Sequence, residues 1–167
     1  KGFNKMAIRN IRVMGDDILR KKSKPVKEVT ERIRTMIDDM YETMYETMGV
    51  GLAAPQIGIL KRIVVIDIGD GNQITLINPV IVEKDGEQIG DEGCLSIPNK
   101  VGTVKRPNHV VCEALNEEME PIRVEGEGFL ARAICHECDH LDGILYADVA
   151  ERPLVDLTEA EPEEIEE

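Results

Sequence analysis

His136-Glu137-Cys138-Asp139-His140, close to the C-terminal end of a 167-residue chain, is an H-E-x-x-H arrangement. On a helix, residues four apart lie about one turn above one another, so both imidazoles can reach one metal ion with Glu137 beside it. A metal brings the pKa of its water from about 15.7 to near 7, and an adjacent carboxylate can take that proton and pass it to a leaving group. The stretch therefore predicts metal-assisted hydrolysis. Histidines that merely sit on the surface or in the core are the weaker reading, because the chain has three histidines and two of them fall here, His109 being the third.

Outward from this motif, residues 127–141 keep a helical pattern. Phe129, Leu130, Ala133, Ile134 and Leu141 form an apolar stripe, and Gly143 stands just past the end in the place of a C′ glycine. Three protein ligands and an open position are what a catalytic metal needs, so the four cysteines are candidates for the third ligand. Cys135 and Cys138 form a C-x-x-C pair overlapping the histidines, but at about 100° per residue they point roughly 150° away from them. They read as small, half-buried thiols packing the back of the helix. Cys112, in Val110-Val111-Cys112, reads as a strand residue. Cys94 remains, in Glu92-Gly93-Cys94-Leu95-Ser96-Ile97-Pro98. A thiolate there would complete a His2Cys set, although for Cys94 taken alone an inert buried thiol is the stronger reading. Glu92 and Arg106 are either a buried pair supporting this loop or two surface charges, and the sequence favours the latter.

A third stretch, Gly49-Val50-Gly51-Leu52-Ala53-Ala54-Pro55-Gln56-Ile57-Gly58, follows a long amphipathic segment. Its small residues permit close backbone approach, and Gln56 is an amide that can donate to a developing oxyanion. Such a loop is commonly only a packing device, and it lacks the Gly-Lys-Ser/Thr end of a phosphate loop.

The rest of the chain sets the fold. Val29, Ile33, Met36, Ile37, Met40, Met44 and Met48 recur at helical spacing and predict a long N-terminal helix over 29–48. Strand-like segments follow at about 63–67, 74–83, 109–115 and 120–125, separated by turn signals such as Gly69-Asp70-Gly71-Asn72 and Asp85-Gly86. The expected class is α+β: a long N-terminal helix, antiparallel or mixed β-sheets, and a metal-binding helix carrying H-E-x-x-H. With 42% hydrophobic residues, 3% aromatic and no long apolar run, one domain over residues 6–156 is expected, with no membrane span. Residues 1–5 read as a remnant ahead of a native start at Met6. The segment 157–167, with six glutamates and no basic residue after Thr158, reads as an acidic, disordered tail. A net charge of −13 opposes direct nucleic-acid binding. Cysteines that look unpaired and the absence of a secretory h-region point to the cytoplasm.

In this order and spacing, the three stretches resemble the signature motifs of the peptide deformylases: a Gly-φ-Gly-φ-Ala-Ala-x-Gln loop, Glu-Gly-Cys-φ-Ser and His-Glu-φ-Asp-His. All three are intact, with Cys138 at the apolar φ position of the third, and the resemblance runs from about Arg9 to about Glu151, including Ile77-Asn78-Pro79. It implies a bacterial or organellar enzyme that removes the N-formyl group from the initiator methionine of new proteins. It further implies that Cys94, His136 and His140 hold one divalent metal, with Glu137 as general base and then general acid. Gln56 and the Leu95 backbone N–H would stabilise the oxyanion. By family habit the ion is Fe2+, with Zn2+, Ni2+ or Co2+ able to take its place; the ligand types do not select among them. The implied partners are N-formylmethionyl nascent peptides, whose backbone would pair with extended segments around Gly51 and Gly93. The methionine would enter an apolar pocket for which Val50, Phe129, Ala133 and Ile134 are candidates, each equally readable as core. Some family members dock transiently on the ribosome through a basic C-terminal helix, a pattern from which the short acidic end departs. Two rivals remain: a zincin-like peptidase, which would not need Cys94, and a thiol-redox protein built on Cys135 and Cys138.

Overall fold

The run Ile63-Val64-Val65-Ile66 has no polar residue on either side of its alternation, which suits a strand covered on both faces. In the computed structural model, which describes residues 7–157, all four side chains are buried. The expected remnant at 1–5 and all of the expected tail except Leu157 lie outside the described residues. The run is β2 (Ile63–Ile66), part of a five-stranded antiparallel sheet in the order β1-β2-β3-β6-β7. Its other strands are β1 (Gly51–Ala53), β3 (Ile74–Asp85), β6 (His109–Leu115) and β7 (Pro121–Glu127).

The two faces of that sheet carry the two long helices. Ile63, Val65 and Ile77 pack with α1 (Glu31–Glu46), which contributes Ile33, Met36, Ile37, Met40 and Met44. Val64, Ile66, Leu76, Val110 and Cys112 pack with α2 (Phe129–Leu141), which contributes Ala131, Ala133, Ile134, Cys135 and Leu141. The period of two in the strands thus sends alternate residues to different helices. The result is α+β with antiparallel sheets.

The expected helix over 29–48 is shorter at both ends. Thr30 caps α1, its side chain accepting from the Ile33 N–H, so Val29 stays outside the helix. At the other end Thr47 is the C-cap, and Met48, at φ 58° and 91% exposed, leaves the helix for the left-handed region. A second sheet, in the order β4-β5-β8, lies beyond the four expected strands and comprises β4 (Gln88–Cys94), β5 (Ile97–Arg106) and β8 (Val155–Asp156). It covers a third apolar cluster of Leu19, Ile97, Val104, Leu145 and Tyr146, against which Cys94 packs. Tyr146 begins a last short helix, α3 (Tyr146–Val149).

Candidate metal centre and cleft

Phe129, Arg132, Ala133, His136 and Glu137 recur at helical spacing along α2, and all five line one cleft of about 410 Å³. The opposite walls come from the Gly49–Gly51 segment with Gln56, and from the end of β4 with Asp91, Gly93, Cys94 and Leu95. Three segments distant in sequence therefore meet at one place.

At the deep end, donor atoms of Cys94, His136 and His140 all lie within 4.8 Å of one another. Cys94 Sγ is 3.3 Å from His140 Nε2. The cysteine is placed by a register irregularity between Glu92 and Cys94, which turns β4 back into β5 with Cys94 opposite Ile97. His136 Nδ1 faces Glu92 Oε1 at 2.7 Å, which commits one ring nitrogen and leaves the other for a ligand. Glu137 is buried, with its Oε2 lacking any partner, and so is His140 Nδ1. Buried polar atoms of this kind are normally satisfied. A thiol, two imidazoles and an unpartnered carboxylate in one enclosed space fit a late first-row divalent ion with an open position.

The electrostatics follow from burial and pairing. Burial pushes the Glu137 carboxyl up to about 7, against the lowering effect of His136. Burial likewise drives His140 well below its ordinary value. For His136 burial works in the same direction, but its contacts with Cys94 and Glu92 outweigh it and lift the ring to about 10. Holding a cation on both rings requires the coordinating nitrogens to be free of protons, so ion binding is favoured as pH rises. Burial raises Cys135 to about 11 and Cys138 is also raised, its contact with Cys112 being the largest cause. Both are therefore poor nucleophiles at neutral pH.

Gln56 is buried in a short 3-10 turn, Ala54–Ile57, where its Oε1 accepts from the Ala53 N–H at 2.9 Å. That bond fixes the amide so that Nε2 donates to Ser96 Oγ at 3.0 Å and reaches toward Cys94 Sγ at 3.6 Å. Gly51 has no room for a side chain: a Cβ there would stand 2.6 Å from Glu137 Oε1. The glycine lets the carboxyl lie directly on the β1 backbone.

Val50, Phe129 and Ala133 line the cleft, Val50 and Phe129 being partly exposed at its walls. Ile134 does not, and its expected place in the pocket is corrected. Its side chain is fully buried in the core cluster between α2 and the five-stranded sheet. At 100° per residue it sits about 140° from the midpoint of the two histidines. Glu92 and Arg106 are not surface charges but a buried fork, Arg106 Nε and Nη2 donating to the two carboxylate oxygens at 2.8 and 2.9 Å. Arg132 and Tyr146 belong to the surroundings of the centre and were not expected from the sequence, while Ser96 stood in the Glu-Gly-Cys-φ-Ser motif without a role of its own. The Tyr146 ring stacks on His136 with centroids 5.9 Å apart. Only the placement of Arg132 on the apolar, histidine-bearing face of α2 could have pointed to it.

A buried carboxyl beside a thiol and two imidazoles that could hold a metal ion, at the end of an apolar-walled cleft, suits a hydrolytic enzyme class, and the comparisons narrow it. The model of the family described as polypeptide deformylase matches residues 8–154. A peptide deformylase of Lachnoclostridium phytofermentans is 59% identical over 96% of this chain and 100% of its own length. The crystal structure of the peptide deformylase from Thermotoga maritima superposes with a TM-score of 0.84 at 42% identity, covering 87% of this chain and 99% of that one. That of Synechococcus elongatus, solved in complex with actinonin, gives 0.84 at 39% identity over 91% and 83%. The chain belongs to the polypeptide deformylase family. It is an enzyme, with the hydrolase character of a family that is metal-dependent and removes the formyl group from N-terminal methionine.

Proposed function

We propose that this chain hydrolyses the formamide of N-formylmethionyl nascent peptides at a single divalent metal centre held by Cys94, His136 and His140. The observation that carries the reading is the convergence of three donor atoms within 4.8 Å beside the buried Glu137. When bound, the ion supplies Lewis acidity and lowers the pKa of water at the site. Fe2+ is the preferred ion, and Zn2+, Ni2+ or Co2+ suit the same donors.

Glu137 takes a proton as water attacks the formyl carbon and returns it to the departing amine nitrogen, which must be protonated to leave. A carboxyl raised to about 7 by burial is suited to both halves of that exchange. The Gln56 amide, whose Oε1 accepts from the Ala53 N–H and whose Nε2 gives one hydrogen to Ser96 Oγ, offers its other Nε2 hydrogen, together with the Leu95 backbone N–H, to the oxygen on which charge develops. Val50, Phe129 and Ala133 receive the unbranched methionine side chain, for which a narrow apolar cleft is suited. Gly51 and Gly93 leave the β1 and β4 backbones open to the peptide chain, so residues after methionine are read mainly through their backbone. The setting is the bacterial cytoplasm, where nascent chains appear. No helix of the described residues is long and apolar enough to cross a membrane.

The test is formate release from formyl-Met-Ala-Ser by anaerobically purified protein, beside Glu137→Gln, with metal content measured. Wild type is expected to release formate, and the variant to lose at least a hundredfold in rate while keeping about one ion per chain, in line with general acid–base contributions of about 10²–10⁴. Metal-loaded wild type that releases no formate, or cleaves unformylated peptides equally well, overturns the reading.

A further inference from the structure

Arg132 lies outside the three motif stretches, yet it is 5% exposed on the cleft side of α2. Its Nη1 donates to Glu92 Oε2 at 2.6 Å, to the Val104 carbonyl at 3.1 Å and to the Gly90 carbonyl at 3.3 Å, while Nη2 reaches Gln88 Oε1 at 3.3 Å. One guanidinium thus ties the histidine helix to both β4 and β5. The strand yields space for it: a Cβ at Gly90 would stand 3.1 Å from Arg132 Nη2.

The Glu92 carboxylate shows what this contact does. Arg106 grips both oxygens as a fork, fixing the carboxylate plane. One further contact is made on each oxygen: Oε2 faces Arg132 at 2.6 Å and Oε1 faces His136 Nδ1 at 2.7 Å. The carboxylate cannot swing toward one of these partners without leaving the other.

We propose that Arg132 is a positioning residue of the metal centre. Through Glu92 it sets the His136 ring, and through the Gly90 and Val104 carbonyls it fixes the strands that carry Cys94 against α2. This rests on the metal-centre reading above.

The experiment measures Co2+ affinity of wild type, Arg132→Met and Arg132→Lys by competition with a chelator, with the melting temperature of each metal-free protein. Val110→Ala, a core truncation outside the network, serves as the control for general destabilisation. Loss of an orienting partner behind a histidine ligand typically weakens metal binding 10–100-fold, so Arg132→Met is expected to bind about tenfold more weakly. Arg132→Lys, whose compact ammonium can still meet Glu92 but not span all four oxygens, recovers part of that loss. Val110→Ala keeps wild-type affinity at an equal or larger thermal loss. Unchanged affinity in Arg132→Met, or an equal drop in Val110→Ala, overturns the inference. Wild type that takes up no cobalt instead overturns the metal reading beneath it, a result separable from the other two because it appears before any substitution is made.

Discussion

Two histidine–carboxylate contacts in this molecule have almost the same length and different surroundings. His136 Nδ1 and Glu92 Oε1 are 2.7 Å apart, with side chains 9% and 4% exposed; His109 Nε2 and Glu125 Oε1 are 2.6 Å apart, at 25% and 68%. The first is enclosed by Arg106, Arg132 and the Tyr146 ring. The second bridges adjacent strands β6 and β7, with Asp85 a further 3.4 Å neighbour of the ring. Water competes for every atom of the outer pair and none can replace a partner in the inner one, so equal distances carry unequal weight.

The strongest way to test this contrast is Glu92→Ala. It leaves two buried guanidiniums without their shared anion, and breaking a buried pair in that way costs about 3–5 kcal/mol. The expected outcome is a melting temperature lower by about 10 °C, with metal retention also reduced, as read by calorimetry and metal analysis. A loss no larger than that of Glu125→Gln would erase the distinction between the pairs. A milder probe is acid. Glu92 is held near 2 despite burial, through its bonds with Arg106 and His136, against an ordinary value of 4.5. A depressed folded pKa gives stability that is complete above 4.5 and lost as pH falls toward 2. The melting-temperature gap between wild type and Glu92→Gln should therefore narrow across that window; a gap that stays constant would show that ionisation of Glu92 contributes nothing.

The smallest effect belongs to the outer pair. His109 is raised above its ordinary 6.5, chiefly by Glu125 with burial opposing. A raised folded pKa gives stability present below 6.5 and lost as pH rises through the elevated value. Glu125→Gln should lower the His109 pKa seen by NMR and trim stability slightly at pH 6. It should change neither stability at pH 9 nor formate release.

The same contrast explains what could be read from the sequence. α2 was legible because its apolar residues and histidines repeat at 3.6 residues, and β2, β3, β6 and β7 because alternating or continuous apolar runs mark strands that face a core. β4 and β5 were not: Gly90, Gly93, Pro98 and Gly102 interrupt them, and much of β4 is exposed. Buried charge was the other blind spot. Arg106 and Arg132 look like solvated side chains until the carboxylate that accounts for them, 14 and 40 residues away, is seen between them. Ile134 went astray for a simpler reason, since nearness in sequence to His136 says nothing about which side of a helix a residue occupies.

The glycine at position 51, pressed by Glu137, bears on how the enzyme comes into being. Cys94 and His140 are 46 residues apart in sequence, and the wall against which Glu137 rests is laid down earlier still. In synthesis the residues of every other wall of the cleft therefore precede α2, the helix that carries His136, Glu137 and His140. A growing chain stalled short of His140 has both sheets' longer strands but not the complete helix α2, so under the proposed mechanism activity appears only once α2 docks, late in synthesis.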